Sequence, residues 1–284
     1  MGAMSESDIT HVSDTALMVA ACRALEFESG DGFVQDPFGA RLAGARGMAM
    51  LRALPHPEMM RFGVSVRSRF IDELLLEALG SKTIATVLSV GCGLDTRPWR
   101  LALPAELRWI EVDFAEILDY KEGLMAAERP RCRRERITAD LNDAAQRRSI
   151  YAAAGEAPAL VITEGLLMYL PGATVEALAA EARQESGIAY WMCDINTTAF
   201  AKAINMDTMR TVRNVQAPDF LPGEQILDVI RRNGWVTAAR RSYLTDMGFA
   251  MERIGRLMGD RPRPAGPPPV APDDPTGVHL FKRG

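Results

Sequence analysis

The sequence predicts an α/β protein built on a mostly parallel β-sheet. From residue 84 onward, short β-branched runs alternate with helical segments, which is the pattern of parallel strands covered on both faces. Five of these runs are each followed by an acid or a glycine, as in sheets whose carboxyl edge binds a ligand. The composition, with 48% apolar and 25% charged residues, is typical of a folded globular chain.

The N-terminal part of the chain is predicted to be helical. Residues 14–28 and 67–79 carry apolar residues at helical spacing, and a loop rich in Gly, Asp and Pro separates them. We therefore divide the chain into an N-terminal helical extension, residues 1–82, and a sheet-containing core, residues 83–284. Within the core we interpret residues 196–220 as a helical cap insertion.

The strands and helices of the core follow one another in a regular order. Strands are expected at residues 84–90, 108–112, 136–139, 159–163, 188–193, 235–243 and 278–282. Helices are expected at residues 98–103, 115–127, 143–153, 174–184 and 221–233. Seven prolines between residues 261 and 276 predict a connecting loop before the last strand.

Charge and composition exclude several classes of function. The 33 Lys and Arg residues against 37 Asp and Glu residues give a net charge of −4, which provides no general attraction to nucleic acid or to anionic membranes. Five arginines within residues 129–136 lack interleaved aromatic residues, so we expect a solvated face there. No apolar run reaches the roughly 18–20 residues that span a bilayer. Four well-separated cysteines favour a reducing, cytoplasmic setting and no metal site.

A glycine-rich turn follows the first strand. Gly91 and Gly93 permit a tight turn close to a ligand, but Thr96 occupies the third glycine position of the dinucleotide-binding fingerprint. Asp113, 22 residues after Gly91, ends the second strand, where an acid can accept hydrogen bonds from both hydroxyls of a ribose. The pattern suits a nucleoside cofactor without a diphosphate, for which S-adenosylmethionine (SAM) is the candidate. A plain strand-to-helix turn with a solvated acid is the alternative.

Four motifs in this region resemble one known family. They are Ser89–Arg97, Trp109–Phe114, Thr138–Leu141 and Thr163–Pro171. Their sequences and order are similar to those of the leucine carboxyl methyltransferase family, a branch of the class I SAM-dependent methyltransferases. The likeness is close over roughly residues 65–171. It implies a Rossmann-like sheet, mostly parallel with a late antiparallel strand.

The resemblance also implies roles in binding SAM. Gly91 and Gly93 would lie against the methionine part of SAM, and Asp113 would bind the ribose. Asp140 would reach the amino group of the adenine, and Leu141 would contact its ring, although core packing explains a leucine equally well.

The remaining predicted residues are charged or phenolic. Glu164 would face the amino group of SAM, and Arg23 and Arg67 are candidates for the carboxylate of the cofactor or of the substrate. Arg67 shares the apolar face of its helix, where an unpaired guanidinium is costly, so it requires a carboxylate from a ligand or from an internal acid. Tyr169 is a candidate to donate to a substrate carboxylate, or else packs on the sheet.

The scarcity of histidine bears on the reaction. The chain has three histidines, none of them in a motif, and a carboxylate needs no base because it is ionised at neutral pH. We therefore expect an O-methyltransferase of secondary metabolism that esterifies a small-molecule carboxylic acid held by Arg67 and Tyr169. The alternatives are methylation of a hydroxyl or phenol, a nucleotide-dependent oxidoreductase, and an inactive SAM-binding protein. No oligomeric state is predicted.

Overall fold

The computed structural model describes residues 12–203, 218–258 and 270–284. Its strands are β1 (Thr86–Val90), β2 (Arg108–Asp113), β3 (Arg133–Thr138), β4 (Ala159–Thr163), β5 (Ile188–Ile195), β6 (Trp235–Ser242) and β7 (Gly277–Arg283). Its helices are α1 (Val12–Glu28), α2 (Gly39–Ala53), α3 (Pro57–Ser81), α4 (Arg97–Arg100), α5 (Ala115–Met125), α6 (Ala144–Ala154), α7 (Gly172–Gln184), α8 (Thr198–Ala203), α9 (Gly223–Arg232) and α10 (Met251–Met258).

The seven strands form one sheet in the order β3-β2-β1-β4-β5-β7-β6. Strands β1 to β5 pair in parallel, whereas β7 runs antiparallel to both β5 and β6. The predicted α/β architecture, with a mostly parallel sheet and a late antiparallel strand, is therefore confirmed. Because β1 is the middle one of the five parallel strands and every one of its residues is buried, the turn that follows it opens at the centre of their carboxyl edge.

Helices cover both faces of the sheet. On one face, buried side chains of α6, α7 and α9, among them Ile150, Leu178 and Ile226, form one apolar cluster with residues of β1, β2, β4 and β5. On the other face, the apolar stripe of α3 packs against β1 and its neighbours through Phe70 and Leu74. A third cluster joins α1, α2 and the start of α3 to Leu94 and Trp99, so the N-terminal helices close over the turn after β1.

The helix α2 was not predicted from the sequence. It is rich in Gly and Ala, and its buried residues Leu42, Ala43, Gly47, Met50 and Leu51 recur at helical spacing. A Cβ atom added at Gly47 would lie 2.6 Å from the carbonyl oxygen of Leu17. Gly44, with φ +57°, interrupts the helix. Close packing on α1 therefore requires a small residue at Gly47, and the three glycines of this segment, which are poor helix formers, weaken the helical signal in the sequence.

The arginines of residues 129–136 do not form the solvated loop that the sequence predicts. Strand β3 begins at Arg133 instead of Arg136, so much of the basic cluster belongs to an edge strand. Arg134 is not simply solvated, since its Nε donates to the buried Glu111 over 2.7 Å. Charged side chains on an edge strand discourage pairing with another chain.

Two predicted loop or cap regions are partly described. Of the cap insertion, α8 is described and residues 204–217 lie outside the described residues, as do residues 259–269 of the proline-rich loop. The helix α10, which the sequence did not predict, is joined to α1 by a buried ion pair between Arg253 and Glu26. In the described ranges, no helix has both the length and the hydrophobicity required to cross a bilayer.

Candidate active site

A cavity of about 260 Å³ opens at the carboxyl edge of the sheet. Its walls come from the turn after β1, the ends of β2 and β4, the segment after β3, and the inner faces of α1 and α3. All the site residues predicted from the sequence line it, namely Arg23, Arg67, Gly91, Gly93, Asp113, Asp140, Leu141, Glu164 and Tyr169. The strand ends meet at one edge and the N-terminal helices cover them, which brings these distant residues together.

The turn after β1 depends on glycine. Gly91 and Gly93 have φ values of +63° and +48°, in the left-handed region that favours glycine. A Cβ atom at Gly91 would also lie 2.7 Å from a methyl group of Leu166, which would have to move. The backbone nitrogen of Gly93 donates to Asp113 over 2.7 Å, so the turn and the end of β2 hold one another in place.

Asp113 presents a carboxylate at the end of β2. Its Oδ2 accepts from Gly93, and its Oδ1 accepts from the backbone nitrogen of Phe114 over 2.8 Å. Each oxygen of an ionised carboxylate has a second lone pair, so the group retains capacity for two vicinal hydroxyls. Burial raises the pKa of Asp113, while the two backbone donors oppose that shift.

Replacing Asp113 by alanine is expected to weaken binding of S-adenosylhomocysteine (SAH) by about 1–3 kcal/mol, because hydrogen bonds to the ribose are lost. Titration calorimetry measures the dissociation constant. Asp113→Asn, which keeps one acceptor oxygen, should lose less. Equal affinity in the wild type and in Asp113→Ala would contradict the assignment of this residue to the ribose.

Next to Asp113 lies a slot with apolar walls. Leu141, 8% exposed, both lines the cavity and belongs to the core, so the two interpretations of this residue are compatible. Phe114, 38% exposed, lines the same region and was missed from the sequence. Its position directly after the acid that ends β2 could have indicated from the sequence that it lines the site. Asp140 lies beside the slot, with its Oδ1 accepting from the backbone nitrogen of Asn142.

The opposite end of the cavity is strongly charged. Glu164 Oε1 accepts from Arg67 Nε at 3.0 Å, and Oε2 accepts from Arg97 Nη1 at 2.7 Å. Burial alone would raise the pKa of Glu164, but Arg97 and Arg67 outweigh it and hold that pKa well below its usual range. The side chain is therefore a stable anion in the cavity wall.

Arg67 keeps donors available towards the cavity. Its Nε contacts Glu164, and its Nη1 lies 3.6 Å from Asp194 Oδ2. Neither terminal nitrogen is hydrogen-bonded to any residue that the structure describes. The expected internal ion pair therefore exists, yet two nitrogens of a planar fork remain suited to a ligand carboxylate.

The position of the Arg67 guanidinium depends on Gly165. This residue has φ +58°, and a Cβ atom there would lie 2.9 Å from Arg67 Nη1. Gly165→Ala is expected to destabilise the fold by about 1–2 kcal/mol through its backbone conformation and to weaken SAH binding by displacing the guanidinium.

A matched control is available in Gly155→Ala. Gly155 has φ +76°, and its added Cβ would find its nearest neighbour at 3.9 Å. With ψ −168°, Gly155 lies in a region almost exclusive to glycine, so this variant should lose at least as much stability in urea unfolding while SAH binding stays normal. If both variants bind SAH equally well, the contact between Gly165 and Arg67 has no part in binding.

Arg23 and Tyr169 occupy less open positions. Arg23 Nε donates to Asp36 at 2.7 Å and its Nη2 donates to the carbonyl oxygen of Leu94 at 2.6 Å, which ties α1 to the glycine-rich turn. Tyr169 lies in a 3-10 turn after β4, half-buried and hydrogen-bonded to Thr15. Burial raises its pKa, so the phenol stays protonated and able to donate.

Comparison with known proteins agrees with the motifs. The sequence profile of the leucine carboxyl methyltransferase family matches residues 16–182. The chain belongs to the leucine carboxyl methyltransferase family. A relative from Streptomyces avermitilis, named as an SAM-dependent methyltransferase, is 37% identical over 183 residues, which cover 61% of this chain and 64% of that relative. The match thus spans less than two thirds of its length.

Two further comparisons extend over nearly the whole chain. A relative from Saccharopolyspora erythraea with the same kind of name is 33% identical and covers 94% of this chain and 96% of its own. The crystal structure of a DUF574 family protein from Streptomyces avermitilis covers 99% of both chains with a TM-score of 0.57 and 18% identity. This structural likeness supports the fold of the chain.

Two of the three histidines of this family member lie within the described residues, and neither of these two lines the cavity. His279 is buried in β7, where its ring stacks on Phe281 and its Nε2 lies 2.6 Å from the carbonyl oxygen of Pro275. Burial lowers the pKa of His279 to about 4, which keeps the ring neutral. His56 lies at the N-terminal end of α3, and His11 lies outside the described residues.

Proposed function

We propose that the protein is an SAM-dependent O-methyltransferase of secondary metabolism that esterifies a carboxylate of a small molecule. The observation that carries this proposal is the cavity. Its lining combines Asp113, an acid placed to bind ribose hydroxyls, with an apolar slot and with the ion-paired Glu164 and Arg67. Membership of the leucine carboxyl methyltransferase family supports the same activity.

The residues fit SAM from one end of the cavity to the other. The slot near Leu141 and Phe114 suits a planar base, and Asp113 suits the ribose hydroxyls. Glu164 suits the ammonium group, because its anion is held by two arginines. Arg67 Nε lies 3.0 Å from Glu164, so the terminal nitrogens of Arg67 are well placed for a carboxylate on the same carbon as that ammonium.

The acceptor region is the mostly apolar wall near Tyr169. Met18, Val19, Met60 and Leu170 line it. Such a wall suits an organic acid with an apolar body, because binding removes the apolar surfaces of both the wall and the ligand from water. Tyr169, with a raised pKa, donates a hydrogen bond to the acceptor carboxylate, and Arg67 supplies positive charge nearby.

The chemistry needs little from the protein beyond positioning. When bound, SAM supplies a methyl group already activated by its sulfonium. The charged wall fixes the amino-acid part, the glycine-rich turn permits close approach, and the apolar wall excludes water from the acceptor. A carboxylate acceptor requires no proton transfer, which agrees with the positions of the described histidines.

The proposal is tested by incubating the protein with methyl-labelled SAM and a panel of small organic acids and phenols. Label that enters an acid and is released by mild base identifies a methyl ester. Label in a base-stable ether would instead show a hydroxyl acceptor. Calorimetric binding of NAD in place of SAH would overturn the methyltransferase activity itself.

A further inference from the structure

Arg97 lines the charged end of the cavity and is among the largest fully buried side chains. Its nitrogens donate to Asp72 (2.6 Å), Glu164 (2.7 Å), Asp95 (3.1 Å) and the carbonyl oxygen of Ser68 (3.4 Å). Every nitrogen of its guanidinium thus has a protein partner. The side chain joins α3, the turn after β1 and the loop after β4.

Glu164 is shared between two arginines in different ways. Arg97 occupies Oε2, whereas Arg67 reaches Oε1 through Nε alone. An arginine beside a free carboxylate commonly pairs with both oxygens through two of its nitrogens. Such a two-point pair would consume a terminal nitrogen of Arg67 and turn its fork away from the cavity.

We propose that Arg97 is a positioning residue: by holding the second oxygen of Glu164, it keeps both terminal nitrogens of Arg67 free for the carboxylate of the cofactor. In this arrangement Arg67 binds the carboxylate of the cofactor, and Arg97 determines the orientation of the Arg67 guanidinium. This inference rests on the proposed function, because it requires a cofactor with an amino-acid group.

The electrostatic surroundings of Glu164 predict a second effect. The described charged or titratable groups that face it are Arg97, Arg67, Arg23, Asp194 and Tyr243. Burial raises the pKa of Glu164, and Arg97 is the strongest opposing influence. A weaker contact at residue 97 therefore raises that pKa. Because the ammonium requires the anion, cofactor binding should be lost at a higher pH than in the wild type as the solution is acidified.

The test uses Arg97→Lys, which keeps the charge but lacks the fork that reaches three segments. SAH and 5′-methylthioadenosine, which lacks the amino-acid part, are titrated by calorimetry between about pH 4 and 8, so that the acidic end reaches the ordinary pKa range of a glutamate. We expect SAH affinity to fall at least about tenfold, more at the acidic end, with 5′-methylthioadenosine unchanged. Arg253→Lys, at a buried arginine outside the cavity lining, should bind both ligands normally.

A double-variant cycle separates positioning from general support of the fold. If Arg97 acts through Arg67, then Arg67→Ala should cost much less SAH affinity in the Arg97→Lys background than in the wild type. Additive losses would overturn the proposal. If Arg97→Lys does not unfold cooperatively, Asp72→Asn, which weakens the contacts of Asp72 with Arg97 and Arg100, should give a smaller loss confined to SAH, and Arg100→Lys, the control for the second partner, should bind SAH normally.

Failure of the inference is distinguishable from failure of the proposed function. A wild-type protein that binds neither ligand contradicts both. A wild-type protein that binds both ligands, with equal SAH affinity in Arg97→Lys, overturns the role of Arg97 alone. Equal losses for SAH and 5′-methylthioadenosine would also overturn it, because they would show a general distortion of the cavity.

Discussion

Replacing Lys121 by methionine is expected to lower the free energy of unfolding by about 3–5 kcal/mol, the largest stability effect that we predict. Lys121 and Glu111 are both 0% exposed, and Lys121 Nζ lies 2.6 Å from Glu111 Oε1. Burial lowers the pKa of Lys121, but Glu111 outweighs it and raises that pKa, so the lysine is charged. Without Lys121, Glu111 Oε2 still accepts from Arg134, but the buried Oε1 has lost its ion-pair partner. Urea unfolding measures the change.

The matched control is an exposed pair that shares strand β2 with Glu111. Arg108 and Glu135 join β2 to β3 with side chains 35% and 46% exposed. Arg108→Met should cost less than about 1 kcal/mol, because water solvates the carboxylate that remains. Similar losses for the two variants would contradict the view that burial makes the Lys121 pair important.

Replacing Arg67 by alanine is expected to weaken SAH binding by about 1.5–3 kcal/mol, the usual range for hydrogen bonds to a charged group. The reason is geometric: two terminal nitrogens lie at the cavity beside Glu164 and are not hydrogen-bonded to described residues. Calorimetry with SAH measures the loss. Acceptor turnover, once an acceptor is found, should fall with it.

The ligand itself supplies the control for Arg67→Ala. Binding of 5′-methylthioadenosine should be unchanged, because that molecule has no carboxylate for Arg67 to hold. A variant that melts at a lower temperature while SAH binding and turnover stay normal would show that Arg67 only pairs with Glu164 and Asp194.

Much of the fold could be predicted because local pattern and tertiary environment agree. The fully buried strands β1 and β4 read as β-branched runs, and α3 has a single apolar stripe. The helix α2 also has an apolar face, but its three glycines are poor helix formers and weaken that signal in the sequence. Strand β3 begins three residues early because partners on neighbouring elements accommodate its arginines, and a sequence does not display those partners.

The site shows the same division. Gly91, Asp113 and Glu164 could be found because each ends or follows a strand, and parallel strands bring their carboxyl ends to one edge. Arg97 could not be found in this way, because its importance comes from three segments that converge only in the folded chain. For Arg67, the helical face predicted the need for an acid, and the structure identifies Glu164.

The proposed function requires that the cavity at the carboxyl edge of the sheet bind the adenosine-bearing methyl donor. A crystal structure of the protein with SAH would show where that molecule binds. We expect the ribose hydroxyls on Asp113, the amine on Glu164 and the carboxylate on the terminal nitrogens of Arg67. Electron density for SAH elsewhere, or a cavity that stays without ligand at saturating SAH, would contradict it.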